Sequence, residues 1–210
     1  MNALSLTLLI ALSPQTDSKA FAEEVVAKMN ATLSKANALQ GRAEVVSYGE
    51  TEAFDFKFLK PNLARFQSKH LGVYQDGKSS YTMMLADKRY SVAPAPAAGL
   101  PPGASFNLGA MVGLEALVFP NDAKLTPTSA REERFAGKDC YAVQLKSEGN
   151  AQAKITLFVD RKNWLPAGWN YVLLDFSAKG QYKSLVLDPK LTPDQFSWRP
   201  PQGATRVGGE

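Results

Sequence analysis

The first regular pattern in the chain has a helical period. Between residues 17 and 39 apolar residues recur every four positions, with charged residues between them. This spacing places the apolar side chains on one face of an amphipathic helix, and Gly41 lies just beyond its end. The apolar positions of this segment are Phe21, Val25, Met29 and Leu33.

After Gly41 the hydrophobic period changes from four to two. The clearest example is the run in which Phe54, Phe56 and Phe58 alternate with Asp55 and Lys57. Side chains on a strand point to opposite faces in turn, so the three rings share one face and the charges take the other. The pattern predicts a half-buried antiparallel strand.

Turn signals divide most of the remaining chain into further strands. Asp76-Gly77 is a strong hairpin signal, and we interpret residues 178–180 as another turn. The tail, residues 203–210, is expected to be frayed. Besides the strand around Phe56, the pattern predicts strands at 64–70, 72–74, 80–85, 89–92, 130–135, 141–146, 153–160, 167–175 and 181–187.

The middle of the chain has a different composition. Residues 93–103 are rich in proline, alanine and glycine, which favours an extended connection. Residues 107–119 then form a helix candidate that is apolar almost all round, and Pro120 ends it. Such a helix must lie against protein or lipid.

The predicted elements indicate one α+β domain. About eight to ten antiparallel strands with two helices favour a curved sheet that forms an unclosed half-barrel, with helices covering its concave face. We find no repeat and no change of composition that would mark a second domain, so residues 21–210 are predicted to form one domain.

The N-terminal segment is interpreted as an export signal. Residues 3–12 are an apolar run that is too short to span a bilayer but has the length of a signal-peptide core. Small residues around Ala20 favour cleavage there, which makes residues 1–20 the predicted signal peptide. An ordinary N-terminal helix is the alternative interpretation.

Composition excludes several classes of protein. The chain has 45% hydrophobic residues, which is typical of a folded domain rather than a disordered one. The 24 Lys and Arg exceed the 20 Asp and Glu by only four, and they are scattered along the chain. Because no basic tract could follow a phosphate backbone, we expect no nucleic acid partner.

The sequence offers little catalytic chemistry. Cys140 is the only cysteine and His70 the only histidine, so neither a disulfide nor a cysteine-based zinc site is available. The two residues fall in different predicted hairpins, and no G-x-S-x-G motif occurs. We therefore expect a protein that is not an enzyme, with no catalytic residue, no cofactor and no metal.

The sequence contains more aromatic and methionine residues at inward-facing strand positions than a simple core obviously requires. Three predicted strands could present aromatic and methionine side chains to one interior, which is a surface suited to flexible apolar ligands. A plain hydrophobic core is the alternative, and residues 107–119 are accordingly either a core helix or a movable lid. The predicted ligand-binding residues are Phe54, Phe56, Phe58, Tyr81, Met83, Met111, Leu114, Leu117, Trp169 and Tyr171.

Several short motifs follow one another in a characteristic order. They are residues 39–41 (LQG), 58–66 (FLKPNLARF), 74–81 (YQDGKSSY), 135–141 (FAGKDCY), 157–160 (LFVD), 165–166 (LP) and 196–204 (FSWRPPQGA). In this order the chain resembles the LolA-like superfamily of periplasmic lipoprotein carriers, which includes exported domains of unassigned function. The resemblance covers nearly the whole chain after residue 20.

The resemblance implies an unclosed barrel that holds lipoprotein acyl chains under a helical lid in the periplasm. Lys60 stands where the carriers have an arginine that is thought to help hold the lid closed. Lysine keeps the charge but loses the planar five-donor group, so this lock is not expected to be the same here. Arg65 is the other basic candidate, with a surface strand position as its alternative interpretation.

We therefore expect an exported carrier that binds a lipid or a lipoprotein acyl chain between sheet and helical lid, in transport linked to outer membrane biogenesis. Membrane-associated donor and acceptor proteins are possible partners, and the expected state is a monomer. The alternative is an envelope sensor or scaffold domain that uses the same fold to bind a protein partner.

Overall fold

Twelve strands form one sheet with a single α-helix on one face, in a computed structural model that describes residues 18–95, 125–147 and 152–208. The helix is α1 (Lys19–Lys35), and a 3₁₀ turn spans Pro193–Phe196. The strands are β1 (Ala38–Ser47), β2 (Glu50–Leu59), β3 (Leu63–Gln67), β4 (Leu71–Asp76), β5 (Ser79–Met84), β6 (Arg89–Pro94), β7 (Leu125–Phe135), β8 (Lys138–Ser147), β9 (Lys154–Asp160), β10 (Pro166–Leu173), β11 (Phe176–Leu187) and β12 (Thr205–Arg206).

The sheet is open and almost entirely antiparallel. Its strand order is β12-β6-β5-β4-β3-β2-β1-β11-β10-β9-β8-β7, and only the short β12 pairs in parallel, with β6. The pairing of β1 with β11 joins the N-terminal meander to the C-terminal one. Since β7 and β12 are both edges, the predicted unclosed antiparallel sheet is confirmed.

The prediction that helices cover one face needs correction, because α1 is the only α-helix within the described ranges. The helix expected over residues 107–119 lies outside them. The described helix is neither long nor apolar enough to cross a membrane.

Helix α1 forms where the sequence pattern places it. The Ser18 side chain caps its start by accepting a hydrogen bond from the backbone N–H of Phe21 at 3.1 Å. The helix packs against β7 and β8, and its side chains join the main core. The buried positions are Ala22, Val25, Met29 and Leu33, which confirms the predicted apolar face.

The start of α1 bears on the predicted cleavage site. Residues 1–17 lie outside the described residues, and the helix begins at Lys19. Cleavage after Ala20 would therefore remove the Ser18 cap and the first two helical residues. The predicted boundary between signal and domain stays a prediction.

We call the face of the sheet that α1 covers the inner face, and the opposite one the outer face. Two glycines let large side chains lie close to the backbone of the inner face. A Cβ at Gly180 would lie 2.2 Å from Cε2 of Trp169, and one at Gly41 would lie 2.4 Å from Cζ of Phe56. Because these glycines have no Cβ, the Trp169 ring packs directly on the backbone at Gly180 and the Phe56 ring on the backbone at Gly41.

The turn predicted at residues 178–180 is wrong. Gly180 lies inside β11, opposite Trp169, and the chain turns earlier, at Leu174 and Asp175. The glycine signals close packing here rather than a turn. Leu174 has a φ of 52°, a conformation in which glycine or asparagine is more usual, so the true turn gives no sequence signal.

The C-terminal segment folds over the outer face of β3 and β4 and then joins the sheet. Phe196 in the 3₁₀ turn is fully buried. Thr205 and Arg206 pair with β6, and the Val207 N–H donates to the Tyr90 carbonyl at 2.7 Å. The prediction of a frayed tail is therefore wrong as far as residue 208, because this segment covers an edge and a face that would otherwise be open.

We expect Gly180→Ala to lower the free energy of unfolding by about 1–3 kcal/mol, because the added methyl group overlaps the Trp169 indole. Urea denaturation measures the loss, and the near-ultraviolet circular dichroism of tryptophan should change with it. Ser177→Ala, on the outer face of the same strand, is the matched control and should change neither. A Gly180→Ala protein as stable as the parent would refute the seating of Trp169 on β11.

Candidate binding face

A continuous group of aromatic rings lies on the inner face across β2, β3 and β11. Phe56 is its centre, with ring centroids 6.0 Å from Phe58, 6.3 Å from Phe66 and 6.1 Å from Tyr182. Phe58 and Phe66 meet edge to face at 5.0 Å. These offset and edge-on arrangements are those that aromatic rings prefer.

The aromatic surface continues on β10, beyond the strands β1 and β11. Trp169 pairs with Gly180 and Tyr171 pairs with Ala178, and both aromatic residues are buried in the same core as Phe56. The structure thus brings five of the predicted ligand-binding residues to one face. They are Phe54, Phe56, Phe58, Trp169 and Tyr171.

The structure separates Tyr81 and Met83 from this group. The pairing register places Tyr81 opposite Tyr74, and Tyr74 opposite Arg65, which is on the outer face. Residues directly opposite each other share a face, so Tyr81 and Met83 lie on the side away from the phenylalanines. The expectation that these side chains share one interior with Phe56 is therefore wrong.

The outer-face aromatic residues have a packing role. Trp198 from the C-terminal segment lies among three tyrosines, with ring centroids 5.6 Å from Tyr74, 4.8 Å from Tyr81 and 5.3 Å from Tyr90. Alternation within a strand shows which residues share a face, but it does not say which face is which. The ring that covers Tyr81, that of Trp198, comes from over a hundred residues later in the chain.

Three further predicted residues, Met111, Leu114 and Leu117, lie outside the described residues. On the inner face itself, exposure is uneven. Phe56 is only 1% exposed, whereas Phe54 and Phe58 are half-buried. Val73 and Leu187, which pack against the same core, are half-buried as well. Half-buried side chains also occur beside α1, at Tyr141 and Leu145 on β8, so partly accessible positions lie on both halves of the face.

The inner face is almost free of charge where the aromatic residues lie. No Lys, Arg, Asp or Glu occupies an inner-face position on β1, β3, β9, β10 or β11, all of which the structure describes in full. The exception on β2 is Glu52, which lies at an inner-face position opposite Val45, with its Oε1 buried and without a hydrogen-bond partner among the described residues. Such a surface suits a neutral apolar molecule and disfavours an ion, which would lose its hydration there.

The two basic candidates take structural positions. The Lys60 Nζ donates to the Ser34 carbonyl at 2.7 Å, in the last turn of α1, where a cation is favourable. Arg65 lies on the outer face, 5.4 Å from the centroid of the Tyr74 ring. Lys60 therefore holds the described helix, and its relation to a lid over residues 107–119 stays a prediction.

The cysteine and the histidine are far apart. Cys140 on β8 is fully buried with Phe135, Phe158 and Ala167 in a small outer-face cluster, whereas His70 is exposed in the turn between β3 and β4. In the sheet, six strands lie between β4, which follows His70, and β8, which contains Cys140. Among the described residues, no group of three or more potential metal ligands occurs.

Burial raises the pKa of the Cys140 thiol above its ordinary value, and the nearby Asp160 carboxylate adds to this effect. A raised pKa leaves less of the reactive thiolate at neutral pH. The position of Cys140 is that of a small buried hydrophobic residue.

A small open cavity lies at the end of the sheet where β1 meets β2 and β10 meets β11. Its volume is about 250 Å³, and Val46, Tyr48, Asn170 and Val172 are among its lining residues. The turn residues Tyr48 and Leu174 are 80% and 76% exposed. Both adopt positive φ, at 51° and 52°, so large apolar side chains occupy exposed turn positions that favour smaller residues.

Comparison with known proteins finds no family model that matches the chain. An uncharacterized protein from Methanocaldococcus jannaschii is 23% identical over 198 residues, which cover 87% of this chain and 52% of that protein. The chain thus spans about half the length of this curated relative.

Several solved structures are similar to this chain in fold. An uncharacterized conserved protein from Thermus thermophilus is similar with a TM-score of 0.59 at 14% identity, over 89% of this chain and 98% of that one. MucB is similar with a TM-score of 0.51 at 15% identity, over 86% and 63%. A LolA superfamily protein from Nitrosomonas europaea is also similar, with a TM-score of 0.39 at 12% identity, over 84% and 97%. At 14% and 15% identity, the likeness to the Thermus thermophilus protein and to MucB concerns the fold alone.

We expect Trp198→Ala to lower the free energy of unfolding by about 2 kcal/mol or more, because it removes the ring that covers three tyrosines. Urea denaturation followed by far-ultraviolet circular dichroism gives this value. Arg199→Ala, an exposed neighbour, is the control and should be close to neutral. An equal effect of both changes would contradict the packing role of Trp198.

We expect Cys140 to react with a thiol reagent only when the protein unfolds, because the thiol is buried and its pKa is raised. Labelling with dithionitrobenzoate at pH 8 should follow the global unfolding rate, as measured in parallel by circular dichroism. Fast labelling of the native protein would show that the thiol is accessible.

Proposed function

We propose that this protein is a binding module that holds a lipid or a lipoprotein acyl chain against the inner face of its sheet. The observation that supports this proposal best is the uncharged aromatic surface around Phe56, part of which, at Phe54 and Phe58, is only half-buried. The resemblance of its sequence motifs to the LolA-like superfamily agrees with it. In this proposal the protein has no catalytic activity.

The free energy gained by burying an acyl chain is large enough for specific binding. An acyl chain of about fourteen carbons gains on the order of 10 kcal/mol on burial, at about 0.8 kcal/mol per CH₂ group, before the costs of ordering. Micromolar affinity is therefore within reach. Membrane-associated proteins would load and unload the chain, and the apolar run at residues 3–12 supports export to the periplasm.

The second candidate function is that of a sensor or scaffold that binds a protein partner. The exposed turns at Tyr48 and Leu174 favour it, since they present large side chains of which three quarters or more is open to solvent. MucB, which is similar in fold, has also been solved in complex with MucA. Lipid binding would use the inner face, whereas partner binding would use the exposed turns. A binding experiment with inner-face variants therefore separates the two functions.

We expect Phe58→Glu to weaken binding of the neutral apolar dye 1-N-phenylnaphthylamine at least tenfold, because it places a charge on the inner face. Leu187→Glu should do the same, since Leu187 and Phe58 both pair with Leu39. Dye fluorescence, titrated with each folded variant, measures the affinity, and circular dichroism checks the fold.

Val186→Glu is the matched control, because Val186 is the neighbour of Leu187 on the outer face and is 51% exposed. It should leave dye binding unchanged. Unaltered binding in both inner-face variants would remove the support for an inner-face site. Absence of dye binding by the parent protein, together with absence of co-purified lipid in native mass spectrometry, would favour the protein-partner function.

A further inference from the structure

The Tyr182 hydroxyl is one of the buried polar groups of the inner face that the described part of the chain leaves without a hydrogen-bond partner. Tyr182 on β11 lies opposite Ala43, and its ring meets Phe56 edge to face at 6.1 Å. The residue is 4% exposed. Its hydroxyl oxygen is buried and has no hydrogen-bond partner among the described residues.

An unpaired buried hydroxyl is costly for a protein. Leaving it without a partner forfeits the hydrogen bonds that it would make in water, whereas phenylalanine would fill the same space without this cost. Burial also raises the pKa of Tyr182, so the hydroxyl keeps its proton and remains a donor at physiological pH. A donor in this position requires a neutral or anionic acceptor from outside the described part of the chain.

The surroundings of Tyr182 decide between these two acceptors. No cation occupies an inner-face position on its own strand or on β1, and the charged inner-face residue on β2, Glu52, is an acid. The Lys183 ammonium, next along the chain, forms an ion pair with Glu44 at 2.9 Å, and Glu44 lies on the outer face. A carboxylate bound at Tyr182 would therefore be buried without a countercharge, which is unfavourable.

We propose that Tyr182 is a specificity-determining residue that donates its hydroxyl hydrogen bond to a neutral carbonyl of the bound acyl ligand. The ligand class is then an ester-linked or amide-linked acyl chain rather than an ionised free fatty acid. This inference rests on the proposed inner-face binding site and adds the chemistry of the atom that the ligand places beside Phe56.

Three probes of equal chain length test the proposal by displacement of 1-N-phenylnaphthylamine at pH 8. Methyl oleate has a neutral carbonyl, oleate has a carboxylate, and 9-octadecene has neither. The parent protein should bind methyl oleate about five- to tenfold more tightly than octadecene, the range that one neutral hydrogen bond supplies. Oleate should bind more weakly than methyl oleate, and its binding should strengthen as the pH falls and its carboxylate becomes protonated.

Tyr182→Phe should remove the preference for methyl oleate over octadecene and leave octadecene affinity unchanged. The melting temperature of this variant should equal or exceed that of the parent, because the change removes an unpaired hydroxyl. Tyr74→Phe, the same chemical change on the outer face, is the control and should keep the parent's preference.

The results separate this inference from the proposed function. Equal binding of all three probes, or a preference that survives Tyr182→Phe, would overturn the role of Tyr182 while leaving the inner-face site in place. Tighter binding of oleate than of methyl oleate at pH 8 would also overturn it. A marked fall in the melting temperature of Tyr182→Phe would show that the hydroxyl already has a protein partner. Failure of every probe to bind would refute the proposed function itself.

Discussion

The pairing of β1 with both β2 and β11 is the constraint on which the rest of the structure depends. β1 joins the two halves of the sheet, and its register decides which side chains from each half share a face. Gly41 on this strand seats Phe56, while Gly180 on β11 seats Trp169. A shift of one residue in either pairing would move one half of the aromatic surface to the opposite side.

The two faces that result have different roles. The outer face is completed by the chain itself, since the C-terminal segment brings Phe196 and Trp198 onto it and β12 pairs with one edge. The inner face is covered by α1 only near β7 and β8. It keeps half-buried aromatic residues and, beside Phe56, the Tyr182 hydroxyl, which has no partner among the described residues, and these are the features that a neutral apolar ligand could use.

The sequence predicts the parts of this arrangement that depend on local patterns. The period of α1, the alternation around Phe56 and the Asp76-Gly77 turn are local, and all three agree with the structure. The face of Tyr81 depends on pairing through two intervening strands, which no local pattern determines. The turn predicted at Gly180 is wrong because a glycine that makes room for an indole and a glycine that reverses the chain look the same in sequence.

The most direct test of inner-face binding is photo-crosslinking with an ester lipid that has a diazirine near the end of its acyl chain, followed by peptide mass spectrometry. The account predicts adducts on inner-face residues such as Phe54 and Phe58, which unlabelled lipid should suppress by competition. Adducts confined to the outer face, at Tyr81, Met83 or Trp198, would contradict it.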